Sequence, residues 1–162
     1  MPAKSAKKAK GAKKKANVEA LNRKLQTAIL ANDEEGVRAA VERGADVDAA
    51  MASGYYIENV PHLHYVAACG NDRMVRLLVE DLGAKVDVVD PRGGTAMHGA
   101  SATGNTEVVK TLARLGANIN KQDICGFTPL HFASWHADSH ADQYSASLRW
   151  IRWRTARLIT SS

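Results

Sequence analysis

The chain has 162 residues, enough for one ordinary domain, and carries a formal net charge of +5 at pH 7. No apolar run approaches the roughly 18 residues of a membrane helix, and the first residues lack the apolar core of a secretory signal, so an intracellular protein of nucleus or cytoplasm is expected. Cys69 and Cys125 fall in separate parts of the chain and match no metal-site spacing; they are not expected to pair, which fits a reducing compartment.

The first fifteen residues, MPAKSAKKAKGAKKK, hold seven lysines and no acid, and residues 148–162 hold four arginines and no acid. With these ends and the acids Asp138 and Asp142 set aside, 11 of the 22 basic and 15 of the 17 acidic residues remain between them. The positive charge therefore belongs to the ends alone. Alanine and lysine alternate at the start without an apolar stripe, so residues 1–19 are expected to form a disordered tail. Lys7, Lys8, Lys10, Lys13, Lys14 and Lys15 read as a solubilising run, as a nuclear-import signal or as a nonspecific phosphate binder. No aromatic is interleaved to stack on bases, which argues against sequence-specific nucleic-acid recognition, and the lack of arginine argues against a mitochondrial presequence.

From Leu25 the composition changes. LQTAILANDEEGVRAAVERGADVD (25–48) and PHLHYVAACGNDRMVRLLVEDLGAKVD (61–87) share a frame that becomes plain in the next two stretches. Residues 90–101 read DPRGGTAMHGAS and residues 123–134 read DICGFTPLHFAS, offset by 33. Asp, Gly, Thr, His, Ala and Ser recur in register, with Met97 against Leu130. This is an internal repeat. Thr128 before Pro129 predicts a helix start, since the hydroxyl caps and proline tolerates the first helical position. TEVVKTLARLGANIN places Val108, Val109, Leu112 and Leu115 at helical spacing and ends at Gly116. Each unit is thus helix, turn, helix and a polar link, and helices this short must stack to bury their apolar faces.

DxxGxTPLHxA at 123–133, with GNTEVVKTLARLGANIN before it, closely resembles the ankyrin repeat. The resemblance covers about residues 20–134 and implies an all-α solenoid of stacked helix-turn-helix units with short β-turn or hairpin links. The expected division is a tail at 1–19, repeats at about 20–48, 51–87, 90–120 and a partial 123–134, and an irregular segment at 135–162. The resemblance also implies structural roles for His64, Thr95, His98, Thr128, Pro129 and His131, whose histidines steady the links. It implies a protein partner, of unknown identity, met on the concave face, and a monomer.

On that face the variable positions are Val89, Pro91, Arg92, Gly94, Ala102 and Thr103 in the third repeat, and Gln122, Ile124, Cys125, Phe127, Trp135 and His136 in the fourth. Ile124, Phe127 and Trp135 form the expected apolar anchors, with Arg92 and Gln122 beside them; the alternative for Trp135 is packing under the C-terminus. AAMASGYYIENV (49–60) adds about five residues to the regular link, so Tyr55 and Tyr56 are expected either on a protruding tip that binds or packed back on the first repeat.

Catalysis finds no support. His131, His136, Asp138, His140 and Asp142 cluster, but no HExxH pattern or second ligand motif accompanies them, and no cofactor or metal is expected. Ser101 and Ser134 lie inside the repeat motif without a base at useful spacing, and there is no phosphate-cradling glycine loop.

After FTPLHFAS the frame requires a glycine turn and a second helix, and the chain instead reads HADSHADQYSASLRWIRWRTARLITSS. Three readings stay open: a divergent helix that caps the array, a Trp/Arg tail that binds an acidic or lipid surface, or an out-of-frame sequence. QYSASLRWIRWRTAR can be back-translated so that the next frame spells SIVRLLGGYGGELL, which has the pattern of the missing helix. Without that helix the faces around Leu112, Leu115 and Leu130 are expected to be wet, and the last repeat to fray first.

Overall fold

The computed structural model describes residues 3–51 and 59–138, with side chains from Asn17 to His136. Three helix pairs and one further helix follow in order: α1 (Ala3–Leu30) with α2 (Glu34–Glu42), α3 (His62–Ala68) with α4 (Asp72–Arg76), α5 (Ala96–Ala102) with α6 (Thr106–Arg114), then α7 (Pro129–Asp138). The first helices stack as α3 on α5 and α5 on α7, and α4 stacks on α6. Among the described residues there is no strand, only an isolated antiparallel bridge between Ala50 and Pro61. The helical solenoid inferred from the repeat is the fold observed.

Apolar spacing explains the core. Leu25 and Val37 of the first pair, Leu63, Met74 and Leu78 of the second, and Met97, Val108 and Leu112 of the third are sealed from water in one continuous cluster. The short helices α2, α4 and α5 are each started by a side chain that satisfies free N–H groups, whereas α3, after Pro61, and α6, after Asn105, begin without a side-chain cap. The Asp33 carboxylate accepts from Gly36 N at 3.0 Å, Asn71 Oδ1 accepts from Met74 N at 3.1 Å, and Thr95 and His98 form a capping box. The turn inside each pair needs one residue at positive φ, supplied by Asn32 (55°), Gly70 (76°) and Gly104 (72°). Those turns are then tied together: Asn71 Nδ2 donates to Asn32 Oδ1, and Asn105 Nδ2 donates to the carbonyls of Ala67 and Ala68.

The second repeat carries one residue more between its glycines, Gly70 to Gly83, than the third has between Gly104 and Gly116. The excess is absorbed by a π-helical turn over Leu77–Asp81, closed by Leu82 N donating to Leu77 O at 3.1 Å. Such a bulge lengthens a helix by one residue without shifting the chain beyond it, so Ala84 and the link keep their register.

Two expectations are corrected. The backbone is helical from Ala3, where a disordered tail through residue 19 is expected from charge; alanine and lysine are both strong helix formers, and propensity acts without an apolar stripe. Among the described side chains, packing into the core starts at Leu21, which is 9% exposed. Leu112 is fully buried and Leu115 half-buried, since α6 packs on α4 and α5; of the three leucines expected to be wet, Leu130 alone is. The segment 139–162 lies outside the described residues.

Candidate protein-binding surface

The links that bear the variable positions are built on aspartates. Asp90 Oδ1 accepts from Arg92 N and Gly94 N, both at 2.8 Å, and Asp123 Oδ1 accepts from Cys125 N at 2.8 Å and Phe127 N at 3.0 Å. One carboxylate oxygen thus closes each tip. Neighbouring tips join directly, Ile124 N donating to Arg92 O at 3.0 Å.

Motif histidines lock the links to the helices. Thr95 N donates to His98 Nδ1 at 3.0 Å, which fixes Nδ1 as the acceptor and leaves Nε2 to donate to Phe127 O of the next repeat at 3.1 Å. His64 Nε2 likewise donates to Gly94 O at 3.0 Å. His131 keeps the bonds of its Nδ1 with Thr128. Burial holds His62, His64 and His98 below the ordinary imidazole range, with backbone contacts and nearby aspartates offsetting it only in part. All three are neutral at pH 7, as the bonding of His98 requires. Both ring nitrogens of His62, in the position held by Ala96 and Pro129 in later repeats, are buried, with the backbone of Val47 and Ala49 as their polar neighbours.

The expected anchors divide. Ile124 is 72% exposed at its tip, Val89 is 47% exposed on the preceding link, and Arg92 and Gln122 are exposed. Phe127 is half-buried in edge-on contacts with His131 and Phe132, and its carbonyl accepts from His98, so it serves the packing as much as the surface. Trp135 and His136 are half-buried at the end of α7, in line with Ala102 of α5, Thr103 just beyond it and Cys69 just beyond α3. Cys69 and Cys125 are exposed free thiols. Tyr55 and Tyr56 lie outside the described residues, although the base of their insertion is pinned by Met51 N donating to Val60 O at 2.9 Å. Among the described residues no group of three His, Cys, Asp or Glu side chains is placed to hold a metal ion, and no helix is long and apolar enough to cross a membrane.

A stack of helix pairs with aspartate-closed tips and histidine bridges between links defines a repeat scaffold whose outer positions are free to vary. The family model for ankyrin repeats (three copies) matches residues 63–142. A protein of Fowlpox virus (strain NVSL) named as an ankyrin repeat protein is 36% identical over 112 residues, which is 67% of this chain and 72% of that one. The chain belongs to the ankyrin repeat family. It is also similar to XBOS32 of Oryza sativa subsp. japonica, named as an E3 ubiquitin-protein ligase, at 41% identity over 75 residues (46% of this chain), and to protein phosphatase 1 regulatory subunit 27 of Mus musculus at 46% over 48 residues (30% of this chain). The chain spans 15% of the ligase and 31% of the phosphatase subunit. Repeats of this kind make protein–protein contacts, which is the coarse function the family carries.

Proposed function

We propose that this chain is a non-enzymatic adaptor or regulatory scaffold that binds a protein partner through the surface made by its link tips and the C-terminal ends of α3, α5 and α7. The observation that carries the reading is Ile124. A large apolar side chain stands 72% exposed on a tip whose backbone is held by the Asp123 carboxylate and by Arg92 O, so its position is fixed; its Cγ2 lies against Gly93 of the preceding tip and most of the side chain faces water. Rigid apolar anchors of this kind dominate binding at protein interfaces. Arg92, Gln122, Val89 and Trp135 complete the patch, and Tyr55 and Tyr56 are added to the proposed surface on the sequence alone. Similarity to a phosphatase regulatory subunit agrees with a regulatory role, and the short match to a ligase carries no ligase activity across.

A photo-crosslinker at position 124, compared with one at Lys110 on the outer helix α6, tests this in extract of the source organism. The partner should crosslink at 124 and not at 110, and its capture should be abolished by Ile124→Asp.

A second reading comes from the lysine-rich start of α1, which runs without a helical break into the first repeat. Seven lysines without an acid suit nonspecific phosphate contact or nuclear import. Deleting residues 1–15 should then remove a steeply salt-dependent affinity for nucleic acid and leave the partner of the link surface bound.

A further inference from the structure

Each repeat is closed on its C-terminal side by the next unit, and among the described residues this closure stops at α7. Leu63 and Met97 are each 2% exposed, whereas Leu130, in the same position of α7, is 75% exposed. Ala67 and Ser101 are buried and their counterpart Ser134 is exposed; Val47 and Val86 are half-buried and their counterpart Ile119 is 55% exposed. The polar register ends at the same place. Asn22, Asp48 and Asp87 accept in turn from Asp46 N (2.8 Å), Lys85 N (2.9 Å) and Asn118 N (3.1 Å) of the following link. Asn120, next in this series, accepts from no link among the described residues, and His131 Nε2 meets no carbonyl there.

The opposite end is different in kind. Described residues exposed on α1 include Arg23, Lys24 and Thr27, and all four exposed large hydrophobics of the described chain lie at Val89 or beyond. Copies stacked head to tail would set Leu130 and Ile119 against Arg23 and Lys24, a poor match.

We propose that residues 139–162 of the same chain cover this face, with Leu148, Trp150, Ile151 and Trp153 supplying the apolar contacts. The face continues the interface by which α5 packs on α3 and α7 on α5. The chain leaves α7 at Asp138, beside the face, so the segment is presented to it at an effective concentration on the order of millimolar. Its 24 residues exceed a turn plus a helix of the nine residues of α6. This proposal concerns the end of the array and stands apart from the link-surface reading.

The test uses the full chain with Cys69→Ser, a nitroxide on Cys125, and the indole N–H signals of the three tryptophans, Trp135 on α7 being the internal control. Trp150 and Trp153 should lose most of their intensity, recover it when the label is reduced, and recover it again in Leu130→Glu, which should also lower Tm. Unaffected Trp150 and Trp153 signals would overturn the proposal. So would broadening that survives Leu130→Glu, which places the segment elsewhere, or broadening seen only between labelled and unlabelled chains, which makes a second copy the occupant.

Discussion

Pro61→Thr would give the second repeat the polar pair that the third already has. At His98, Thr95 donates its N–H to Nδ1 at 3.0 Å and holds its hydroxyl at 2.9 Å from the same atom. At His64 the proline has neither group, and Nδ1 is buried without a partner. An unsatisfied buried acceptor costs about 1–3 kcal/mol, and a hydroxyl N-cap is worth about 1 kcal/mol. Against this, replacing proline frees the unfolded chain by about 0.4–1 kcal/mol, and threonine forfeits roughly 1 kcal/mol of buried ring surface. The expected net is about 1 kcal/mol of added stability. Repeating Pro61→Thr in a His64→Ala background cancels the proline and burial contributions and leaves the Nδ1 bond, expected as about 1–2 kcal/mol of coupling. Urea unfolding followed by circular dichroism, with an unchanged m value, measures all four corners. Coupling within about 0.3 kcal/mol of zero would refute the reasoning that the threonine of the motif acts through its histidine.

Acidification should destabilise the protein. His62, His64 and His98 sit below their unfolded pKa of 6.5, so the unfolded state binds more protons once pH falls under that value. Tm should therefore be flat above about pH 7 and fall steadily from 6.5 downward, and His62→Ala should shallow the fall; a flat Tm to pH 5 would contradict this. Deleting Glu80 should convert the π turn over Leu77–Asp81 to regular helix and leave Tm within about 5 °C, whereas deleting Lys110 from the regular α6 should shift every later contact and unfold the repeat. Gly104→Ala should destabilise by about 1–2 kcal/mol and raise hydrogen exchange in α7, because φ is +72° and a Cβ there would collide with His136 Nε2. Leu112→Ala, at a fully buried site, should cost about 2–5 kcal/mol in the same urea assay.

Much of this fold was legible because the repeat spacing aligns residues whose roles are backbone roles. Thr95 and His98 recur as Thr128 and His131 since every link needs the same bonds, and a periodic need leaves a periodic trace. The aspartates at 90 and 123 were visible as matches, but their work as tip-closing acceptors was not, because it depends on which N–H groups the turn converges. The extra residue before Gly83 was visible too, while its accommodation as a π turn depends on keeping both flanking glycines in register. Helix at Ala3–Leu30 was hidden by charge: no apolar stripe marks its start, and Ala/Lys propensity gives a weak signal. Phe127 was legible as an aromatic on the variable face, yet its contacts with His131 and Phe132 divide it between surface and core. Leu112 escaped the expected exposure because α4 and α5 cover it from within the array, a relation set by the stacking of helices distant in sequence.

The central claim is that the link surface binds a protein partner, and an affinity comparison with the crosslinked partner tests it most directly. Ile124→Asp with Val89→Asp should weaken binding by 100-fold or more, on the order of 3 kcal/mol for two buried anchors, while Lys110→Glu on α6 leaves it unchanged and both variants keep wild-type circular dichroism. Equal affinity of both variants for the partner, or loss only with Lys110→Glu, would contradict it and move the binding surface to the outer helices.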